Sequence, residues 1–223
     1  LINETFLHTI AEYGYKNTYR GVYPIKVNQQ QQAVHDVVTF GAPYHHGLEA
    51  GSKAELIIAL ASLHDPEAYL VCNGYKDAEF IDLALYSLKM GLQTILVIET
   101  TDELDLILER AARMGVTPRL GVRVKLRSNA GGKWTESGGE RSVFGLTPQQ
   151  IIDVIDQLRA VGKLDALEML HYHLGSQIPN IRDIRAGITE AARVYVELVR
   201  EGARMGILDI GGGLAIDYDG SRT

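Results

Sequence analysis

Strand-length apolar runs alternate with longer amphipathic stretches along the whole chain, and this alternation restricts the fold more than any other feature. Residues 19–27, 44–50, 69–72, 94–98, 119–126, 166–174 and 207–210 read as seven strands. An opening helix over 1–13 precedes them, and helical stretches at 29–40, 52–63, 77–90, 100–114, after 147 and at 181–200 separate them. Local signals support these boundaries. Ser52-Lys-Ala-Glu55 has the spacing of a capping box. Thr147-Pro148-Gln-Gln150 places a proline in the first turn. Gly41 and Gly91 are expected to end the helices before them. A chain that returns through a helix after each strand lays its strands parallel. The fold class is therefore α/β. Two architectures satisfy it: an open doubly wound sheet, or a (β/α)8 TIM-like barrel one strand short. A complete barrel needs roughly 250 residues, so the length of 223 does not choose between them. A polar, Gly-rich insertion over 127–142 interrupts the alternation, and no low-complexity linker divides residues 1–223.

Charge and composition remove several function classes. The formal net charge is −6 and no basic stripe is visible, which argues against nucleic acid or an anionic membrane as partner. No apolar run is long enough to span a bilayer, and the opening is not signal-like. Cys72 is the only cysteine, so no intrachain disulfide forms and a reducing, cytoplasmic setting is expected. The chain opens at Leu1 and stops at Ser221-Arg222-Thr223, so both ends read as those of an excerpt from a longer protein.

Four groups of residues carry possible chemistry. Lys26, in Tyr23-Pro24-Ile25-Lys26-Val27-Asn28, falls at the end of an apolar strand. Strand ends are where α/β barrels place their catalysts, and a desolvated lysine becomes a nucleophile. The plainer reading is a strand-end lysine reaching water. In His171-Tyr172-His173-Leu174-Gly175-Ser176 the strand period puts both histidines on one face. They could bind a metal, sit as satisfied core histidines, or lie flat against a planar cofactor, with Ser176 aimed at an anion. No Cys or carboxylate lies nearby to complete a metal site. Gly211, Gly212 and Gly213 follow a short apolar strand and expose consecutive N–H groups, a phosphate nest or a flexible turn. Glu49, Glu55 and Arg123 form a charged set, in which Glu55 has a competing capping role and Arg123 could simply pair with Glu49.

The order of these motifs resembles the alanine-racemase-like, fold-type III pyridoxal-phosphate decarboxylases: a lysine on strand one, His-x-Gly-Ser on strand six, Asp-Ile-Gly-Gly-Gly on strand seven. Several segments are most similar to the arginine-specific, biosynthetic branch of that family. They are Tyr23-Pro-Ile-Lys-Val-Asn-Gln-Gln30, Gly47-Leu-Glu-Ala-Gly-Ser-Lys53, Cys72-Asn-Gly-Tyr-Lys-Asp77, the Trp134-bearing insertion, the stretch from His171 to Asp183, and Leu208 onward.

The resemblance implies an incomplete pyridoxal-phosphate (β/α)8 barrel over 1–223 that decarboxylates L-arginine to agmatine in polyamine synthesis. It implies that Lys26 carries the cofactor as a Schiff base and that His173 stacks on its ring. Ser176 and the backbone of Gly211, Gly212 and Gly213 would hold the phosphate, with Glu49, Glu55 and Arg123 around the cofactor. Leu208, Asp209, Ile210, the three glycines, Leu214, Ala215, Ile216, Asp217 and Tyr218 would border the substrate. Mg²⁺ and a homo-oligomer built from dimers are implied in the same way, although no metal-ligand set is evident. The family's eighth strand, with its Glu and phosphate-binding Arg, and its C-terminal β-domain do not appear before Thr223, so the excised piece is expected to bind cofactor poorly and not to turn over. The rival readings are a decarboxylase of the same fold acting on ornithine, lysine or diaminopimelate, and a catalytically silent regulator.

Overall fold

The computed structural model describes residues 1–127, 145–217 and 220. Helices and strands alternate in chain order: α1 (Ile2–Glu12), β1 (Val22–Pro24), α2 (Gln31–Gly41), β2 (Gly47–Ala50), α3 (Lys53–Ser62), β3 (Tyr69–Cys72), α4 (Ala78–Lys89), β4 (Gln93–Ile98), α5 (Thr101–Met114), β5 (Leu120–Arg123), α6 (Pro148–Ala160), β6 (Leu167–His171), α7 (Ile181–Arg200) and β7 (Ile207–Asp209). The alternation expected from the sequence is present, and the class is α/β. The insertion after Arg127, with Trp134, and Tyr218 lie outside the described residues.

The chain gathers into two compact units. The first comprises Leu1–Leu96 with Ile107–Pro118, the second Val97–Leu106 with Arg119–Thr223. In the first unit β1 to β4 pair in parallel, with Val22 beside Gly47, Leu48 beside Leu70 and Leu70 beside Thr94. Its core contains Leu48, Leu70, Ile81, Leu85 and Ile95, all fully buried. In the second, β5, β6 and β7 pair in parallel, with Val122 beside Leu170 and Leu170 beside Leu208. Leu120, Val122, Leu158, Leu167 and Leu170 fill its core. Burial of each such side chain contributes about 1.5–3 kcal/mol, which holds the short strands in register.

The helix starts follow the capping residues. Thr147 Oγ1 accepts from the Gln150 N–H at 3.3 Å, and Gln150 Oε1 accepts from the Thr147 N–H at 2.9 Å, a full capping box. Ser52 Oγ accepts from the Glu55 N–H at 3.3 Å, but the Glu55 carboxylate reaches one residue further back, to the Gly51 N–H at 2.8 Å.

Five strands, β1, β2, β5, β6 and β7, are shorter than the sequence suggests. Pro24 has no N–H to extend the ladder, and the chain tightens into a 3₁₀ turn over Ile25–Val27. Lys26 therefore stands on the turn after β1, not within a strand. β5 ends at Arg123. β6 ends at His171, so His171 and His173 do not share one strand face. Gly41 closes α2 at φ −82°, and the left-handed residue is His45 at φ 51°. Gly41 serves close packing instead, since a Cβ there would stand 2.4 Å from Cβ of His46.

Candidate active site

In the first unit, the pairing of Pro24 with Glu49 sets the turn after β1 beside the end of β2. Lys26 Nζ lies 3.2 Å from Glu49 Oε1. The Lys26 side chain is 63 % exposed, which matches the reading of a lysine reaching water and not that of a desolvated one. An accessible primary amine stands next to a proton-accepting carboxylate instead. Glu55 is buried and committed to the Gly51 N–H, a role at the start of α3. The exit of β3 backs onto the exit of β2: the Asn73 N–H donates to the Ala50 carbonyl at 3.1 Å. A Cβ on Gly74 (φ +74°) would fall 2.4 Å from the Gly51 carbonyl oxygen. Two groups there escaped sequence reasoning. Lys76 is 1 % exposed, and its ammonium donates to the Gly74 carbonyl at 2.6 Å. Cys72 is fully buried, and burial pushes its thiol pKa up to about 12. The one available signal was a lysine closing the polar exit of an apolar strand, in Asn73-Gly74-Tyr75-Lys76.

In the second unit, Arg123 reaches Glu99 at 3.1 Å, with both side chains largely buried. The pairing open to Arg123 and Glu49 is thus replaced by two others, Lys26 with Glu49 and Arg123 with Glu99, each formed within its own unit. Glu99 follows β4 directly, and its N–H donates to the Glu103 carboxylate at 2.8 Å. On β6 and β7, His171 and Asp209 are register partners. His171 Nδ1 lies 2.9 Å from Asp209 Oδ2. Burial raises the Asp209 pKa, but the charge of His171, its bond and the Gly211 N–H outweigh burial and hold the carboxyl below its usual range.

The glycines form a backbone cradle beside the β6 exit. Gly211 and Gly213 have φ +65° and +96°. A Cβ on Gly211 would stand 2.5 Å from the Tyr172 carbonyl oxygen, and one on Gly213 would stand 1.9 Å from that of Gly175. The Ile178 N–H donates to the Gly213 carbonyl at 2.8 Å, and Gln177 exchanges two hydrogen bonds with Ile216. The Gly211 N–H is taken by Asp209 at 2.8 Å, so it does not contribute to the expected nest. Among the described residues, the N–H groups of Gly212 and Gly213 have no protein acceptor. His173 is half-buried against Gly211, and Ser176 is exposed. Leu214, Ala215, Ile216 and Asp217 are exposed.

The amine suits an aldehyde, and the backbone N–H groups suit a phosphate. An accessible amine with a carboxylate beside it is found in one unit, and a side-chain-free anion cradle with an imidazole in the other. Among the described residues, no group of three or more His, Cys, Asp or Glu could hold a metal ion. Among them, too, no helix is long and apolar enough to cross a membrane.

These features define an α/β domain of the pyridoxal-binding kind. Residues 2–223 match the family described as pyridoxal-dependent decarboxylase, pyridoxal binding domain, and the chain belongs to that family. It is 54 % identical over 220 residues to the biosynthetic arginine decarboxylase of Alkalilimnicola ehrlichii, covering 99 % of this chain and 35 % of that protein. The crystal structure of the biosynthetic arginine decarboxylase SpeA from Campylobacter jejuni matches at TM-score 0.87 and 36 % identity, over 97 % of this chain and 35 % of that one. The diaminopimelate decarboxylase of Helicobacter pylori, complexed with L-lysine, matches at TM-score 0.77 and 21 % identity, over 97 % and 54 % of the respective chains, which shows the fold alone. The chain spans about a third of the length of the curated relatives it matches.

Proposed function

We propose that this chain is the cofactor-binding part of a pyridoxal-phosphate-dependent arginine decarboxylase, which releases agmatine and CO₂ from L-arginine for polyamine synthesis. The observation that carries the reading is the identity of 54 % across 220 residues to an arginine decarboxylase, against 21 % to a diaminopimelate decarboxylase.

Lys26 supplies the amine that attaches the cofactor. Glu49 Oε1, 3.2 Å from Nζ, holds that side chain at the end of β2. The Gly212 and Gly213 N–H groups and the Ser176 hydroxyl hold the phosphate, with no side chain in the way. His173 would face the ring, and Arg123, fixed by Glu99, keeps a positive charge at the end of β5. Residues 208–217 would border the substrate. Bound there, pyridoxal phosphate supplies an electron sink for the carbanion left when CO₂ departs. A cytoplasmic setting is part of the reading, supported by Cys72 as the sole cysteine of this chain.

The test is absorbance and CO₂ release on the full-length protein. A Schiff-base band near the visible edge is expected and should vanish in Lys26→Ala. CO₂ release should be fastest with arginine. Absence of the band sinks the cofactor reading, whereas faster release from ornithine, lysine or diaminopimelate sinks only the substrate assignment.

A further inference from the structure

A groove of about 810 Å³ runs along the outer face of α7 beside the start of α6, wholly within the second unit. Arg127, Arg182, Arg185 and Arg193 line it, with Glu190 as the only carboxylate among its lining residues. On α7, Arg182 and Arg185 are three residues apart, and Arg185, Thr189 and Arg193 follow at four-residue steps, so they share one helix face. Like charges at this spacing repel. Elsewhere in this chain of net charge −6 most described arginines meet a carboxylate, as Arg110 meets Asp82, Arg119 Glu168, Arg159 Glu201 and Arg200 Glu197, with exposed Arg204 an exception. Among the described residues, Arg182, Arg185 and Arg193 have no such partner. Glu190 accepts from the Arg127 backbone N–H at 2.7 Å, which engages one of its oxygens.

We propose that this groove binds a small polyanion bearing phosphate or carboxylate groups. The planar guanidinium fork suits both groups, and the volume lies in the range of small-molecule sites. The helix that carries the arginines is firmly seated: a Cβ on Gly187 would stand 2.6 Å from both Leu174 methyls, so α7 is packed as closely there as glycine allows. A nucleic-acid backbone would need a longer basic track. None of the groove residues is assigned to the pyridoxal site, so the proposal goes beyond the decarboxylase reading and does not depend on it.

Titration calorimetry of the full-length protein with inorganic tripolyphosphate and with citrate, with and without pyridoxal phosphate, tests it. One saturable site per chain is expected, weakening steeply with salt. The tighter of the two probes assigns the anion as phosphate-like or carboxylate-like. Arg185→Ala with Arg193→Ala should weaken binding at least about tenfold, because two charge-assisted contacts are lost. Arg204→Ala, an exposed arginine outside the groove, should leave the affinity unchanged. These positions are exposed, so far-ultraviolet circular dichroism should be unaltered in every variant. Absence of saturable binding, binding indifferent to the double substitution, or equal loss in Arg204→Ala would each overturn the proposal.

Discussion

A methyl group at position 213 would stand 1.9 Å from the Gly175 carbonyl oxygen, on a backbone at φ +96°. Gly213→Ala should therefore destabilise the protein by about 1–3 kcal/mol, the range for a residue held in a sparsely populated conformation, and urea unfolding will measure it. Cofactor affinity should fall as well, since the N–H groups of the cradle would shift. The glycines were legible in the sequence because their spacing directly encodes a backbone requirement. Lysine environments were not. Lys26 had two open readings and is 63 % exposed, while Lys76, in a polar segment that drew no attention, is 1 % exposed. Burial of one side chain depends on how the β3 exit folds over the β2 exit, and local composition does not contain that. The two lysines should respond oppositely to substitution. Lys26→Ala should change stability by less than about 1 kcal/mol, as for an exposed ion pair, while removing the Schiff base. Lys76→Met, which removes the ammonium's bond to the Gly74 carbonyl, should cost about 1–3 kcal/mol, read from the same urea curves.

At the scale of elements, capping chemistry is what the sequence recorded best. Thr147 opens α6 with Pro148 in its first turn as expected, the reciprocal box with Gln150 was not read from the sequence, and Thr147→Ala should cost about 1 kcal/mol, visible in the thermal midpoint. Strand ends were recorded worst. An apolar run continues through Pro24 into Lys26, but proline withdraws a donor and the ladder stops there. On β3 the end of the strand sets a reactivity. Burial raises the Cys72 thiol to about 12, above its value of roughly 8.5 in an unfolded chain. The folded state thus favours the protonated thiol, and that stabilisation is lost as pH rises between these two values. At pH 8 the Cys72 peptide should resist alkylation in the native protein and react rapidly in guanidinium, as mass-spectrometric mapping can show. Rapid alkylation under native conditions would mean that the β3 exit opens locally.

Over the whole molecule, strand–helix alternation was enough to fix an α/β class, because each crossover helix forces the next strand parallel. The division into two compact units was not legible, since periodicity is a local property and the boundaries fall inside β4 and α5. Each unit nevertheless holds a carboxylate below its usual pKa range. In the first, the bond and charge of Arg110 on α5 depress Asp82 against a smaller effect of burial. In the second, burial opposes the depression of Asp209, but His171 and the Gly211 N–H prevail. A depressed carboxylate contributes stability above its unfolded pKa of about 3.9, and that contribution disappears as pH falls through the lower folded value. Charge acts in the same direction. The chain is −6 at neutrality, crosses zero near pH 5.6 and becomes cationic below it, so acid adds repulsion while it removes these pairs. The urea midpoint should consequently fall between pH 5 and pH 2.5. Asp82→Asn removes a group that is charged in both states at neutral pH but binds a proton more readily when unfolded. The variant should be less stable at pH 7, and its midpoint should fall less steeply in acid. Parallel curves for the two proteins would show that the Asp82–Arg110 pair does not couple folding to protonation.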